Sequence, residues 1–324
     1  MKTGIAQISP VFLHRDATLA KVIEWIQRAG REGCRLVAFG ETLVPAYPVW
    51  LARTDAARFD ADDQKQIHSV YLDQSVVIDS SVGGDPRGHL AGVCDAARAA
   101  GVSVILGVAE RPGERGGHTV YCSRVFIEGR GVNAGQILSI HRKLMPTYEE
   151  RLSWGAGDGA GLVTHRVDSF CVGALNCWEN WMPLARAALY ASGEDLHVML
   201  WPGGERLTRD ITRFAALEGR SFVVSACSII RPEDLPPDVP HRDRICAEGG
   251  AFYDGGSCIA GPDGKWIVEP VVGREDLLIA DLDHMLVLRE RQNFDAAGHY
   301  ARPDVLRLTI DRRRQAAANW IEPT

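Results

Sequence analysis

Short apolar runs that are typical of buried β-strands alternate with amphipathic helical patterns along the whole chain, and this alternation restricts the fold more than any other feature. Segment 16–26 places its apolar residues at helical spacing. Runs that are mostly apolar, as expected of strands covered on both faces, occupy 35–39, 102–109 and 196–201. The pattern predicts an α/β fold, which we interpret as one domain over residues 1–324 with a C-terminal arm from about residue 290. The charged run 311–315 within this arm is predicted to lie on a solvated helix.

Cys177 lies where one of these apolar runs meets a helical pattern. Residues 169–175 are expected to form a buried strand, and a helical pattern starts at Pro183, a residue suited to a first turn. The free N–H groups and the dipole of such a turn favour an anion. The sequence therefore predicts a nucleophilic thiol of lowered pKa, with a packed core cysteine as the alternative.

Two charged residues also follow apolar β runs directly. Glu41 comes after run 35–39, and Lys143 comes after a predicted strand over 136–141. Ligands and catalytic groups converge at the carboxyl ends of strands in open α/β sheets. A thiol needs a base to become a nucleophile, and a cation can hold the negative charge that develops. Glu41 is a candidate base and Lys143 a candidate cation, with a helix cap and a surface charge as the respective alternatives.

Composition argues against several classes of partner. A net charge of −6 gives no electrostatic reason to expect nucleic acid. No apolar run is long enough to span a bilayer, and the N-terminus lacks the apolar core of a signal peptide. The eight cysteines are scattered without a C-x-x-C pair, which favours reduced thiols over disulfides or zinc ligands. We therefore expect a cytoplasmic protein without a nucleic-acid or membrane partner.

Rival motifs are weak. Residues 155–160 match G-x-G-x-x-A, but the apolar residues after them are typical of a strand rather than of the helix that a dinucleotide site requires. The chain has no G-x-S-x-G elbow and no P-loop. Its ten histidines form no H-E-x-x-H pair, which disfavours a zinc hydrolase.

Three segments resemble the catalytic segments of the nitrilase superfamily: FGET at 39–42, HRKLMPT at 141–147 and NCWE at 176–179. With the WGAGDG stretch at 154–159, the resemblance covers nearly the whole chain. It implies a four-layer αββα sandwich and a catalytic triad of Glu41, Lys143 and Cys177, with Glu150 as the second glutamate that positions the lysine or a water. It implies no metal and no organic cofactor, because side chains supply the nucleophile, the base and the cation.

The residues around the cysteine are similar to those of the nitrilase branch of the superfamily, with Trp178 and Glu179 after it and MPL at 182–184. The resemblance therefore implies that the partner is a small-molecule nitrile, hydrolysed to the carboxylic acid and ammonia through a thioimidate and a thioester on Cys177. An amidase or N-carbamoyl amide hydrolase with the same triad is one alternative. A catalytically silent binding protein is the other.

Aromatic residues near these segments are candidates for the substrate-binding wall, with burial in the core as the alternative for each: Tyr47, Tyr148, Trp178 and Trp201. Two positions depart from the pattern that is common in the superfamily. Gly40 stands where proline is usual before the glutamate, and Ala46 replaces a glycine, which predicts a differently shaped pocket wall. The resemblance further implies a homo-oligomer, a dimer or larger.

Overall fold

The computed structural model describes residues 1–318 and 321. The strands in the described residues are β1 Lys2–Gln7, β2 Leu36–Ala38, β3 Ser103–Glu110, β4 Tyr121–Ile127, β5 Ile137–Arg142, β6 His165–Val167, β7 Phe170–Asn176, β8 Leu196–Trp201, β9 Phe222–Cys227, β10 Ile229–Ile230, β11 Tyr253–Ala260, β12 Trp266–Val272 and β13 Asp276–Asp281. The α-helices are α1 Arg15–Arg31, α2 Trp50–Arg53, α3 Asp62–Gln74, α4 Ala91–Ala100, α5 Pro183–Ala191, α6 Glu205–Gly219, α7 Arg242–Ile245 and α8 His284–Glu290. Two 3₁₀ turns matter for the site, Tyr148–Leu152 and Cys177–Trp181.

The strands form two sheets that mix parallel and antiparallel pairs. One sheet has six strands in the order β13-β1-β2-β3-β4-β5. The other has seven, in the order β10-β11-β9-β8-β7-β6 with β12 beside β11. Strands β1, β2 and β3 are parallel neighbours, as are β7, β8 and β9, and the remaining pairs are antiparallel.

Apolar side chains fill three layers around these sheets. Between the sheets, Ile5, Ala38 and Ile105 of the first sheet share a buried cluster with Val198 and Val224 of the second. Burial on both faces explains why these strands are apolar throughout rather than alternating. The protein is thus an αββα sandwich, which confirms the predicted fold class.

Helices cover the outer face of each sheet. On the six-stranded sheet, α1 and α4 contribute Val22 and Val93 to a cluster with Val37 of β2. On the seven-stranded sheet, α6 packs Ala215 against Val223 of β9, and α5 packs in a smaller cluster nearby. No helix within the described residues has both the length and the apolarity that a bilayer crossing requires.

The predicted helix over 311–315 is wrong. This segment has no regular secondary structure, because its last two residues bind the body of the protein. Arg314 Nη1 donates to Asp158 Oδ1 at 3.0 Å, and Arg314 Nη2 donates to the Ile140 carbonyl at 2.8 Å. The Gln315 N–H donates to Asp158 Oδ2 at 3.0 Å. Residues 314 and 315 therefore lie against the loop that follows the 3₁₀ turn Tyr148–Leu152.

Candidate active site

The site forms where strands of both sheets end. In the six-stranded sheet, β5 runs in the same direction as β2, because each of the pairs β3–β4 and β4–β5 is antiparallel. Their carboxyl ends therefore lie at the same edge, where Glu41 follows β2 closely and Lys143 follows β5 directly. Cys177 comes directly after β7 of the other sheet. Each sheet thus supplies part of the site.

Four residues singled out in the sequence meet here. One oxygen of Glu41, one oxygen of Glu150 and the Cys177 sulfur lie within 4.8 Å of one another. Lys143 Nζ donates to Glu41 Oε1 at 3.3 Å and to Glu150 Oε2 at 2.7 Å. All four side chains are buried. The arrangement brings a thiol, two carboxylates and one ammonium group into a single water-poor cluster.

Glu150 is held by three donors. Its Oε2 accepts hydrogen bonds from Lys143 Nζ and, at 2.6 Å, from the Thr147 N–H. Its Oε1 accepts one from the Tyr47 hydroxyl at 2.9 Å. Thr147 also caps the 3₁₀ turn that contains Glu150, so that the local sequence fixes the carboxylate. Glu150 is therefore positioned to orient Lys143 rather than to take up a proton from the thiol.

Glu41 is held differently. Its backbone N–H donates to the Trp201 carbonyl at 3.0 Å, which links the end of β2 to the end of β8 in the other sheet. Its Oε2 lies 3.2 Å from Lys143 Nζ but, within the described residues, accepts no hydrogen bond of ordinary geometry. Burial raises the pKa of Glu41 to about 8, because the opposing attraction of Lys143 offsets only part of the desolvation. A carboxylate with a free lone pair and a pKa near neutrality suits a general base.

The glycine before Glu41 has a steric cause. A Cβ atom at position 40 would lie 2.2 Å from Ser228 Oγ and 2.7 Å from the Ser228 nitrogen. Any residue with a Cβ, proline included, would push β2 away from the neighbouring sheet at this point. The departure at Gly40 from the usual proline therefore reflects close packing against Ser228.

The prediction of a lowered thiol pKa at Cys177 is wrong. Burial raises the pKa of the thiol well above its ordinary value, and the charge of Glu41 raises it further. Lys143 and the Trp178 N–H lower this pKa, but by less. The sequence could not show that the Cys177 side chain itself is almost completely buried. Cys177 therefore keeps its proton in the resting site and needs a base to become nucleophilic.

Lys143 remains a cation despite its burial. Desolvation lowers its pKa, but Glu41, Cys177 and Glu150 together raise it well above the ordinary value. Its Nζ also lies 5.5 Å from the centre of the Trp154 ring, an attractive position for a cation. Trp154 was not among the predicted site residues, although it begins the WGAGDG stretch.

Glu179 joins the two halves of the site. Its Oε1 accepts from the Leu144 N–H at 2.5 Å, and its Oε2 accepts from the Asn176 N–H at 3.0 Å. These residues are the neighbours of Lys143 and Cys177 in the chain. His141 Nε2 lies 3.1 Å from both oxygens. Burial alone would raise the pKa of Glu179. His141 and the two N–H groups lower it by more, so that the net pKa is below the ordinary value. Glu179 thus fixes the spacing between cation and nucleophile.

The four predicted wall residues have different surroundings. Tyr47 is largely buried and contacts Glu150, and Trp201 is completely buried in the apolar cluster that contains Cys177. Trp178 is 43% exposed, and Tyr148 is 83% exposed. Substrate contact by each of them stays a prediction.

A cleft opens beside the cluster, and of the residues that line it only Tyr47 was predicted from the sequence. Tyr47 and Tyr253 line it with their rings 5.2 Å apart, together with Arg53, Glu149 and Phe252. Burial raises the pKa of Tyr253, so that its hydroxyl stays neutral near the thiol. Little in the sequence indicated Tyr253 as a site residue. Its one distinguishing feature is that it stands two residues before the glycine pair 255–256, at the start of β11.

Glu41, Glu150 and Cys177 also form the one group of three potential metal ligands that residues 1–318 and 321 bring together. Lys143 already contacts both carboxylates. Its ammonium group supplies the positive charge that a metal would otherwise bring to these two groups.

Comparison with protein families and curated proteins gives consistent matches. A family model described as carbon-nitrogen hydrolase matches residues 2–289. An aliphatic nitrilase of Rhodococcus rhodochrous is 32% identical over 98% of this chain and 84% of its own length. Nitrilase 3 from an unknown prokaryotic organism is 36% identical over 98% of this chain and 92% of its own length. Nitrilase 1 of Arabidopsis thaliana is 31% identical over 99% of this chain and 90% of its own length.

Solved structures share the fold at low sequence identity. Nit3 of Saccharomyces cerevisiae, a member of branch 10 of the nitrilase superfamily, superposes with a TM-score of 0.70 at 15% identity and covers 93% of this chain and 96% of its own. A carbon-nitrogen hydrolase from Helicobacter pylori gives 0.67 at 17% identity, with 94% and 96% covered. At these identities the likeness concerns the fold alone.

Proposed function

The chain belongs to the carbon-nitrogen hydrolase family, and from that membership we propose that it is a nitrilase, which hydrolyses an organic nitrile to the carboxylic acid and ammonia. The observation that carries this function is the match, over nearly the whole chain, to several curated proteins named nitrilase. The buried cluster around Cys177 supports it, because the thiol lies within 4.8 Å of the base and the base contacts the cation, and covalent hydrolysis needs all three.

In the first half of the reaction, Glu41 is the general base. Its carboxylate takes the proton of the Cys177 thiol as the sulfur attacks the nitrile carbon. The C–S bond forms while one C–N π bond breaks, and the nitrogen gains a proton, which gives a thioimidate. Lys143 and the Trp178 N–H lie near Cys177 and stabilise the negative charge that develops on nitrogen.

In the second half, water replaces nitrogen. One water adds to the thioimidate carbon, and the tetrahedral adduct expels ammonia to leave a thioester. A second water hydrolyses the thioester, which releases the acid and regenerates the thiol. Glu41 accepts a proton from each water. Its pKa of about 8 suits both the uptake of that proton and its return to the leaving group. Glu150 acts on these steps by keeping Lys143 in place.

The test is ammonia release from a panel of aliphatic, aromatic and arylaceto nitriles and their matching amides. We expect the nitriles to be turned over faster than the amides. A Cys177→Ala protein provides the blank. Ready hydrolysis of amides or carbamoyl compounds with no turnover of any nitrile would contradict the nitrilase assignment and favour the amidase alternative.

We also propose that the protein is a homo-oligomer, a dimer or larger. An exposed aromatic face beside the site supports this: the rings of Trp178 and Trp181 are 6.2 Å apart, and those of Trp181 and Phe214 are 6.5 Å apart. Leu184 on the adjacent helix α5 is 68% exposed. Continuous apolar surface of this kind is typical of a face that is covered by a partner.

Sedimentation velocity of the wild type and of Trp181→Ser at equal concentration tests the assembly. We expect the wild type to be dimeric or larger and the variant to dissociate more readily. A wild type that is monomeric at every concentration would contradict it.

Two further proposals concern the organisation of the chain and its compartment. We propose that residues 1–324 form one domain with a C-terminal arm from about 290. The support is that no helix or strand follows α8 in residues 291–318. We propose a cytoplasmic location, because all eight cysteines are free thiols, which a reducing compartment preserves. Limited proteolysis should release nothing larger than the arm.

A further inference from the structure

A buried chain of hydrogen bonds leads from the nucleophile to a glutamate–histidine pair. The Asn180 Nδ2 group donates to the Cys177 carbonyl at 2.7 Å. On its other side, Asn180 Oδ1 lies 2.8 Å from His197 Nε2. His197 Nδ1 lies 2.7 Å from Glu194 Oε1. Asn180, His197 and Glu194 are each at most 1% exposed, so that water does not compete for these bonds.

Hydrogen-bond chemistry fixes the protons in this chain. The Asn180 Nδ2 group faces two carbonyls, those of Leu175 and Cys177, and only an NH₂ group can donate to them. Its Oδ1 therefore faces His197 and can only accept, so His197 Nε2 carries a proton. A second proton lies between His197 Nδ1 and the Glu194 carboxylate. The pair is thus either imidazolium with carboxylate or imidazole with carboxylic acid, and both forms present an Nε2–H donor to Asn180.

The carbonyl at the end of this chain belongs to the peptide that joins Cys177 to Trp178. A trans peptide is planar, with its C=O and N–H pointing in opposite directions. A hydrogen bond that holds the Cys177 carbonyl on the side of Asn180 therefore aims the Trp178 N–H at the opposite side. The opposite side is the side of the site, in agreement with the lowering of the Cys177 thiol pKa by this N–H. Hydrogen bonds in series polarise one another, which makes this N–H a stronger donor.

The surrounding structure stabilises this series of hydrogen bonds. Cys177 has a φ of +46°, in the left-handed region that costs free energy for a residue other than glycine. The Asn180 bond to its carbonyl helps to maintain that conformation. On β7, a Cβ atom at position 173 would lie 2.0 Å from Glu194 Oε1. Gly173 therefore makes the space in which Glu194 reaches His197.

We infer that Glu194, His197 and Asn180 form a positioning relay that orients and polarises the Trp178 N–H toward the charge that develops on the substrate. His197 is a positioning residue, because it acts through Asn180 and contacts neither the substrate nor the thiol. The inference rests on the proposed function, in which Trp178 supplies this donor.

Two substitutions of His197 separate the relay from simple packing. In His197→Gln, the side-chain NH₂ group replaces the Nε2 donor to Asn180. In His197→Asn, the NH₂ group replaces Nδ1, and the donor to Asn180 is lost. We expect His197→Asn to lower kcat about tenfold with little change in KM, as for the loss of one hydrogen bond that acts in the transition state. His197→Gln should recover most of this loss. The same histidine-to-asparagine change at the exposed His118 is the matched control and should leave activity unchanged.

A second measurement tests how strongly the site stabilises negative charge at the position of the substrate nitrogen. A simple aldehyde such as butyraldehyde or benzaldehyde adds reversibly to the Cys177 thiol, and the resulting hemithioacetal places its oxygen where the nitrile nitrogen would lie. Iodoacetamide alkylates the same thiol without placing charge there. We expect His197→Asn to bind the aldehyde about tenfold more weakly, the same loss as in kcat, while alkylation by iodoacetamide changes far less.

Equal aldehyde affinity in the wild type and His197→Asn would overturn the relay. So would a matching loss of aldehyde binding and alkylation, because it would mean that the thiol itself has moved. If the wild type releases ammonia from no nitrile or amide, the proposed function fails, but the comparison of aldehyde with iodoacetamide on Cys177 still decides the relay.

Discussion

Replacing Glu150 by glutamine tests whether the second carboxylate acts through Lys143. The amide keeps the shape of the carboxylate, and its oxygen can still accept from Lys143 and the Thr147 N–H. Its NH₂ group then faces the Tyr47 hydroxyl, which can accept instead of donate. The fold should therefore be retained. What the substitution removes is one of the two negative charges that bind Lys143.

The magnitude follows from that contact. A hydrogen bond between charged groups contributes ~1.5–3 kcal/mol, and each ~1.4 kcal/mol corresponds to a factor of ten in rate. If Glu150 is needed in both hydrolytic steps, turnover should fall about 100-fold. The charge of Glu150 also raises the pKa of Glu41. Its removal should therefore shift the acid limb of the pH profile of kcat/KM to lower pH.

Steady-state ammonia release, its pH profile and mass spectrometry of enzyme mixed with substrate together measure these effects. We expect Glu150→Gln to accumulate a covalent adduct on Cys177, because Glu41 and the Trp178 N–H still support thiol attack, which is therefore slowed less than the hydrolytic steps. Glu269→Gln, the same change at an exposed position on β12, is the control. Turnover at the wild-type rate in a folded Glu150→Gln protein would refute the reasoning and leave Glu150 as a structural residue.

Three further predictions follow from the site. Cys177→Ala should fold normally and release no ammonia from any substrate, whereas Cys34→Ala should retain turnover; ammonia assays with thermal melting decide both. The kcat/KM should fall as the pH is lowered through about 8, since Glu41 then gains a proton; a flat profile down to about pH 5 would show that its carboxylate is not the base. Glu179→Gln should lower stability by ~2–4 kcal/mol through its weakened charged bonds. Because folding lowers the Glu179 pKa below 4.5, this difference should be present near neutral pH and shrink as the pH falls below that value; an unchanged difference at about pH 3 would contradict it.

Local sequence patterns were enough to place the main groups of the site. Glu41, Lys143 and Cys177 were each identified because they follow an apolar run, and the sheets bring these strand ends together. The strands predicted over 35–39, 102–109, 136–141, 169–175 and 196–201 were correct to within one residue at each end, and so was the start of a helix at Pro183, although the 3₁₀ turn Cys177–Trp181 separates the cysteine from helix α5. The strand expected directly after residue 160 was wrong, since β6 begins only at His165. Such features depend on residues that are neighbours in the chain, and hydrophobic periodicity reports on them directly.

Features that depend on distant residues were not predictable. The direction of the Cys177 pKa shift is set by burial from both sheets, which no local pattern records. His197 and Asn180 are 17 residues apart and look unremarkable in their own segments. The helix predicted over 311–315 failed for the same reason, because Asp158, far away in the chain, binds that segment.

The raised pKa of Cys177 has a consequence for the life of the protein outside the catalytic cycle. Oxidants and electrophiles react with thiolates, and a buried thiol that holds its proton offers them almost none. Unfolding returns the thiol to its ordinary pKa near 9, so alkylation at neutral pH should be faster in urea than in the native protein. Folding thus protects the nucleophile from chance damage, and the sulfur becomes reactive only toward a molecule that occupies the site beside Glu41.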